Sequence, residues 1–184
     1  ANRLCTDRAD ILNSIDLSNI KDYLDIGGNI GWFTFYLKEK YNIQGTCLDF
    51  DQPGLSRPIG WNKKVGGKIE FGKLINTLKR ENLTFINEAV SPDYMKNSKS
   101  YDLIMVLSLL HLFFSQHKVT VQYWNQLFVS ICEKTNKILI FEVAAGLLSN
   151  LGLKSFEELA DYAKMVGKFQ RTEVVGMSDS KRPF

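Results

Sequence analysis

Tyr23-Leu24-Asp25-Ile26-Gly27-Gly28-Asn29-Ile30-Gly31 decides the fold of this chain. A short run with strand composition, Tyr23 to Ile26, enters a glycine-rich turn, and Trp32 to Lys40 beyond it has the spacing of an amphipathic helix. Glycines at such a junction let the backbone turn sharply and let a ligand approach it with no side chain in the way. Gln44 to Phe50 then reads as a second strand ending in the acidic pair Asp49 and Asp51. Together they make a strand-helix-strand unit of roughly 30 residues, and such units pair their strands in parallel.

The alternation continues on both sides. Asp10 to Leu17 has the apolar spacing of an opening helix. Gln52 to Gly67 holds too many glycines and prolines for a regular element and is expected to be a long loop. Phe71 to Lys79 is expected to be a helix and Leu83 to Val90 a strand carrying Asn87-Glu88 at its end. Tyr101 to Leu107 is the most apolar strand, hence the central one, followed by a helix at Val119 to Cys132 and a strand at Asn136 to Val143. A helix at Phe156 to Met165 and a strand at Lys168 to Met177, leading into a Ser178-Asp179-Ser180 turn, complete the pattern. The expected architecture is one α/β domain over residues 1–184, doubly wound, with a mostly parallel sheet and helices on both faces. Ligands of such sheets bind at the carboxyl ends of the strands, where strand order reverses.

Composition narrows the function. The chain has 184 residues, 45% hydrophobic and 23% charged, which suits one globular core. A net charge of +3, with basic residues dispersed, admits an anionic substrate and does not by itself demonstrate a nucleic-acid-binding stripe. Cys5, Cys47 and Cys132 are far apart and lack the paired spacing of zinc sites, so reduced thiols and no metal are expected. The longest apolar stretch, Leu103 to Phe114, is interrupted by Ser108 and His111 and falls short of the roughly 20 residues of a bilayer span. With no secretory leader pattern at its start, the chain is expected to be cytoplasmic. Its start at Ala1 is compatible with trimming or with a longer parent protein.

The glycine turn fits neither common phosphate motif. Asn29 stands where the second glycine of G-x-G-x-x-G belongs, and Phe33-Thr34 where the third belongs; G-x-x-x-x-G-K-[ST] is absent. What the stretch Asp25 to Phe33 resembles is the first motif, D-x-G-x-x-x-G, of class I S-adenosylmethionine-dependent methyltransferases. The resemblance implies that Asp25 orients a network near the cofactor's ammonium, that Gly27 and Gly31 admit the cofactor beside the backbone, and that Gly28 and Asn29 line the same turn. The physics agrees with a cationic ligand, which a carboxylate attracts and a pyrophosphate is not. The alternative is a turn that only tightens a strand-helix junction.

Asp49 follows Asp25 at about 24 residues, near the spacing at which an acid reaches ribose hydroxyls in Rossmann-type sites. Asp51 shares its face if the strand persists, but Cys47-Leu48-Asp49-Phe50 is closer to the family pattern, so Asp49 comes first, with Phe50 beside it. Asn87-Glu88 resembles the family position that contacts the adenine amine; the bland alternative is a capped strand end with Glu88 in water. Ser108-Leu109-Leu110-His111 resembles the segment after the family's fourth strand, which assigns Ser108 to the cofactor and His111 to the acceptor side. His111 is either a proton acceptor or a hydrogen-bonded core residue, and His117 is expected to be solvated. Glu142 falls on the same edge of the sheet, binding acceptor or capping its strand.

The resemblance implies methyl transfer from S-adenosyl-L-methionine, with oxygen as the expected nucleophile. More loosely, Tyr101 to Gly146 with Arg182-Pro183-Phe184 resembles methyltransferases of bacterial surface-polysaccharide ends and, more distantly, those of RNA-end phosphates. A small molecule, a saccharide end or an RNA end is thus the expected acceptor, and Trp61, Lys63, Lys64, Lys68, Arg171, Lys181 and Arg182 either cradle its charge or form a solvated face. The family's last strand follows a position like that of Phe184, so a sheet lacking that strand is expected. Two rivals remain: an NAD(P)-dependent oxidoreductase, and a non-catalytic module with the same fold.

Overall fold

The computed structural model describes residues 5–50, 72–73, 75–76, 82–178 and 182–184. In chain order its elements are α1 (Cys5–Asn13), β1 (Asp22–Ile26), α2 (Trp32–Tyr41), β2 (Gln44–Asp49), β3 (Leu83–Asn87), α3 (Pro92–Asn97), β4 (Tyr101–Leu107), α4 (Leu112–His117), α5 (Val121–Glu133), β5 (Thr135–Glu142), α6 (Gly146–Leu151) and α7 (Phe156–Gly167). The expected loop Gln52 to Gly67, Asp51, and Trp61, Lys63, Lys64 and Lys68 lie outside the described residues. So does most of the helix expected at Phe71 to Lys79, of which Gly72, Lys73, Ile75 and Asn76 are helical.

The described strands form one sheet in the order β3-β2-β1-β4-β5, every pair parallel. The chain runs outward from β1 to β3 and then returns to the other side of β1 with β4. Strand order therefore reverses between β1 and β4, and ligands of such sheets bind at the carboxyl ends beside a reversal of this kind. Side chains alternate across the sheet as the pleat requires. Leu24, Ile26, Leu48, Ile104 and Val106 pack with Trp124, Leu127, Phe128 and Ile131 of α5. Tyr23, Leu103, Met105 and Ile140 pack on the opposite face with Leu12 of α1 and Phe33 and Leu37 of α2. From Leu103 to Leu107 β4 is apolar because both of its faces are covered there; Asp102, near its start, pairs instead with Lys137.

Helix ends follow their side chains. Ser91, Thr120 and Ser155 accept hydrogen bonds from the backbone N–H groups of Tyr94, Tyr123 and Glu158. Asn42 and Gly152 close α2 and α6 in the left-handed conformation.

Four expectations need correction. The opening helix spans Cys5–Asn13 rather than Asp10 to Leu17; it puts Arg8 on the buried face, one turn before Leu12, where apolar periodicity gives no signal. β3 stops at Asn87, short of Val90. Helices α3, α4 and α6, six residues each, escape a pattern search that needs several turns. Lys168 to Met177 is not a strand: its alternation finds no sheet partner. Instead Val175 N–H donates to Phe184 C=O, Phe184 N–H donates to Gly176 C=O, and Met177 bridges Pro183 antiparallel.

Candidate functional site

Three residues of the glycine turn take positive φ: Gly27 (74°), Asn29 (55°) and Gly31 (73°). Glycine does so freely, and asparagine is among the side chains that tolerate it best. Gly27 N–H donates to Leu48 C=O at 2.7 Å, and Gly31 N–H to Gly28 C=O at 2.9 Å before α2 begins. A β-carbon on Gly28 would lie 2.6 Å from Asp25 Oδ2 and 2.7 Å from Cys47 Sγ, so only hydrogen fits. The turn thus lies directly on the Asp25 carboxylate.

Asp25 is 2% exposed and accepts a hydrogen bond from the Thr34 hydroxyl at 3.3 Å. Burial pushes its carboxyl up to about 7; the Thr34 bond opposes the rise and the nearby Asp49 charge adds to it. Asp25 therefore supports the turn from beneath, out of open contact with the surface.

Asp49 stands at the end of β2 and accepts a hydrogen bond from the Asn29 backbone N–H at 2.6 Å. Asp49 is registered against Asn87 of β3, and Glu88 N–H donates to Asp49 C=O at 3.2 Å. Parallel pairing thus brings the ends of β2 and β3 side by side, with Asn87, Glu88 and Phe50 exposed at the rim. Phe50 is 45% exposed and Ile30 38%, two apolar side chains at the edge of a polar turn.

Past β4, Ser108 adopts a left-handed backbone, φ 58°. Leu109 then covers the turn, since a β-carbon on Gly27 would come within 3.0 Å of its side chain. The Trp124 indole N–H donates to Leu110 C=O at 3.2 Å, and half-buried His111 precedes α4 as its cap residue. The backbone of His117 closes α4; its side chain lies outside the described residues.

Glu142, at the end of β5, is fully buried, and Arg8 of α1 grips its carboxylate with three N–H···O contacts of 3.0 to 3.2 Å. Ser108 hydroxyl donates to the same carboxylate and accepts from Arg182 at 2.8 Å. Sequence reasoning placed Glu142 on this edge but missed Arg8; one helical turn back from buried Leu12 was the signal available.

Arg171 is not brought to this cluster: it pairs with Glu173 on the surface and lines a separate pocket of about 260 Å³ along β5 and α7, whose lining includes no residue of the glycine turn. Lys181 lies outside the described residues. Among the described residues no group of three or more His, Cys, Asp or Glu side chains could hold a metal ion, and no helix is long and apolar enough to cross a membrane.

No protein-family model and no curated protein matches the chain in sequence. Solved structures match it in fold. One is an O-methyltransferase family protein from Burkholderia thailandensis, TM-score 0.64 at 11% identity, covering 97% of this chain and 54% of that one. PigF with SAH matches at TM-score 0.59 and 16% identity, covering 94% and 51%. NcsB1, an O-methyltransferase from neocarzinostatin biosynthesis in complex with S-adenosylmethionine and 2-hydroxy-5-methyl naphthoic acid, matches at 0.57 and 14%, covering 89% and 48%. The chain spans about half the length of these proteins. At such identities the likeness is one of fold, and the fold is the Rossmann-like one that these methyltransferases share.

Proposed function

We propose that this chain, built on the Rossmann-like methyltransferase fold, binds S-adenosylmethionine at the carboxyl ends of β1 and β2 and takes part in methyl transfer to an oxygen acceptor. The observation that carries the proposal is the pair of carboxylates at the glycine turn, Asp25 beneath it and Asp49 bonded to its Asn29 N–H at 2.6 Å. Asp49, joined by Asp25 where it is ionised, at a turn that itself contains no Lys or Arg, disfavours a pyrophosphate and favours a ligand with ammonium and sulfonium charges. PigF with SAH and NcsB1 with S-adenosylmethionine support the same choice by shared fold.

In this reading Gly27, Gly28, Asn29 and Gly31 offer backbone to the ligand, and Asp49 takes the ribose hydroxyls. Phe50 offers an apolar face to the adenine, and Asn87 or Glu88 accepts from its amine. Bound S-adenosylmethionine supplies a methyl carbon open to in-line attack, the S–CH₃ electron pair remaining on sulfur. The chain's own work is alignment, together with removal of the acceptor's proton when the nucleophile is a hydroxyl. His111 is the candidate for that proton. The acceptor is a small molecule, a saccharide end or an RNA end. The chain works in the cytoplasm.

Calorimetric titration with S-adenosylmethionine, S-adenosylhomocysteine and NADH, on wild type and Asp49→Ala, tests the reading. Saturable binding of the first two, weakened in the variant, is expected. Binding of NADH alone, or of none of the three, overturns it. Turnover in an acceptor screen, lost in His111→Ala with cofactor binding intact, is the expected sign of catalysis; binding with no transfer to any acceptor would favour a non-catalytic module.

A further inference from the structure

Arg8 and Glu142 lie 134 positions apart in sequence and meet almost out of water, at 5% and 0% exposure. A buried ion pair is a poor source of stability, because desolvation of both charges offsets their attraction. Its geometry points to another use. Glu142 Oε2 accepts from Arg8 at 3.1 Å and also from the Ser108 hydroxyl. That hydroxyl in turn accepts from Arg8 at 3.4 Å and from Arg182 at 2.8 Å. One donor and two acceptor positions are all a serine hydroxyl has, so Ser108 is saturated and its rotamer fixed.

The backbone at Ser108 is left-handed, which a non-glycine residue holds only where its surroundings over-determine it. Here the surroundings are this cluster and the Ser108 N–H donated to Glu142 C=O at 3.1 Å. The next residue, Leu109, covers Gly27, and its C=O accepts from Leu112 N–H at 2.8 Å, which starts α4 after His111.

We infer that Arg8 and Glu142 are positioning residues: through Ser108 they hold the exit of β4, and through Leu109 they fix the gap between the glycine turn and His111. The inference rests on the proposed function for what occupies that gap. In-line transfer makes the gap matter, since a misplacement of about 1 Å costs on the order of a hundredfold in rate. It also reassigns Ser108, which serves the gap by holding backbone rather than by touching cofactor.

The test is amide hydrogen exchange on the unliganded protein with two variants. Arg8→Met/Glu142→Leu replaces the pair by apolar side chains, a change that buried ion pairs generally survive. Ser108→Ala keeps the pair and the backbone bond to Glu142, and removes the hydroxyl's contacts with the pair and with Arg182. Both are expected to speed exchange at Leu112, Gly27 and Gly31 on the order of tenfold, while Phe128 in α5 keeps its wild-type rate. S-adenosylhomocysteine affinity, by calorimetry, should fall in parallel. Wild-type exchange at those three amides in Ser108→Ala, or in the double variant, overturns the inference and leaves the pair a structural ion pair. Should the double variant fail to fold, Ser108→Ala decides alone. Failure of wild type to bind S-adenosylhomocysteine would defeat the proposed function, while the exchange rates still judge the positioning role.

Discussion

The Asn29 backbone N–H donates to Asp49 Oδ2 at 2.6 Å, which ties the glycine turn after β1 to the end of β2. The turn residue is in the left-handed conformation, so the bond also holds a backbone geometry with few alternatives. Asp49→Ala removes a hydrogen bond to a charged acceptor, expected to cost about 1.5–3 kcal/mol in urea denaturation. Asp49→Asn keeps an acceptor oxygen and should recover part of that loss. An unchanged denaturation midpoint in Asp49→Ala would show that the clasp contributes nothing to the turn.

Gly28 and Gly146 predict opposite responses to the same substitution. Gly28→Ala drives a β-carbon onto Asp25 Oδ2 and Cys47 Sγ, both buried and backed by the sheet, and should destabilise by about 1–3 kcal/mol through overpacking. At Gly146, the first residue of α6, a β-carbon meets nothing within 4 Å. Gly146→Ala should leave stability unchanged or raise it by up to ~1 kcal/mol by reducing unfolded-state freedom. Thermal melts of the two variants beside wild type decide this, and equal shifts would refute the crowding argument.

The sequence was most legible where a local pattern and the fold asked for the same thing. Leu103 to Leu107 is apolar because it is covered on both sides, and Gly27 to Gly31 turns because glycine and asparagine take positive φ; both are properties a short window displays. The opening helix begins earlier than its apolar spacing predicts because its buried face includes Arg8, whose reason lies in Glu142, 134 positions on. Lys168 to Met177 has a strand's alternation, yet a strand exists only with a neighbour, and its neighbour is the backbone of Phe184. The site split the same way: Asp49 and the turn are neighbours within one strand-helix-strand unit, which a short window displays, whereas Ser108 meets Arg8, Glu142 and Arg182 from distant segments that no local pattern joins.

The cysteines should report on opening of the fold. Burial pushes the Cys132 thiol up to about 12 and raises that of Cys47, where the Asp25 and Asp49 charges add to the effect. Cys5 is only half-buried; desolvation raises its thiol too, opposed by the Arg8 charge. At pH 8 a disulfide reagent should modify Cys5 slowly and leave Cys47 and Cys132 untouched in the folded protein, while all three react in denaturant. Fast native modification of Cys47, read by peptide mass spectrometry, would mean that the turn over it opens readily.

Asp25 makes stability depend on pH in the direction opposite to most carboxylates. Burial holds its folded-state carboxyl up to about 7, the Thr34 hydroxyl opposing and Asp49 adding, whereas in an unfolded chain an aspartate ionises near pH 4. Between about pH 4 and pH 7 the folded protein keeps a proton that the unfolded chain has lost. The stabilising contribution of Asp25 is therefore complete below about pH 4 and declines as pH rises to about 7, then stays flat. A difference of about 3 pH units bounds the effect at about 4 kcal/mol. Asp25→Asn cannot ionise and escapes this decline, so its stability relative to wild type should rise between pH 4.5 and pH 8. Denaturation midpoints of both proteins at pH 4.5, 6 and 8 read the difference directly. A wild-type-minus-variant difference that does not change with pH would mean that Asp25 is ionised throughout, held by a contact stronger than the Thr34 bond at 3.3 Å.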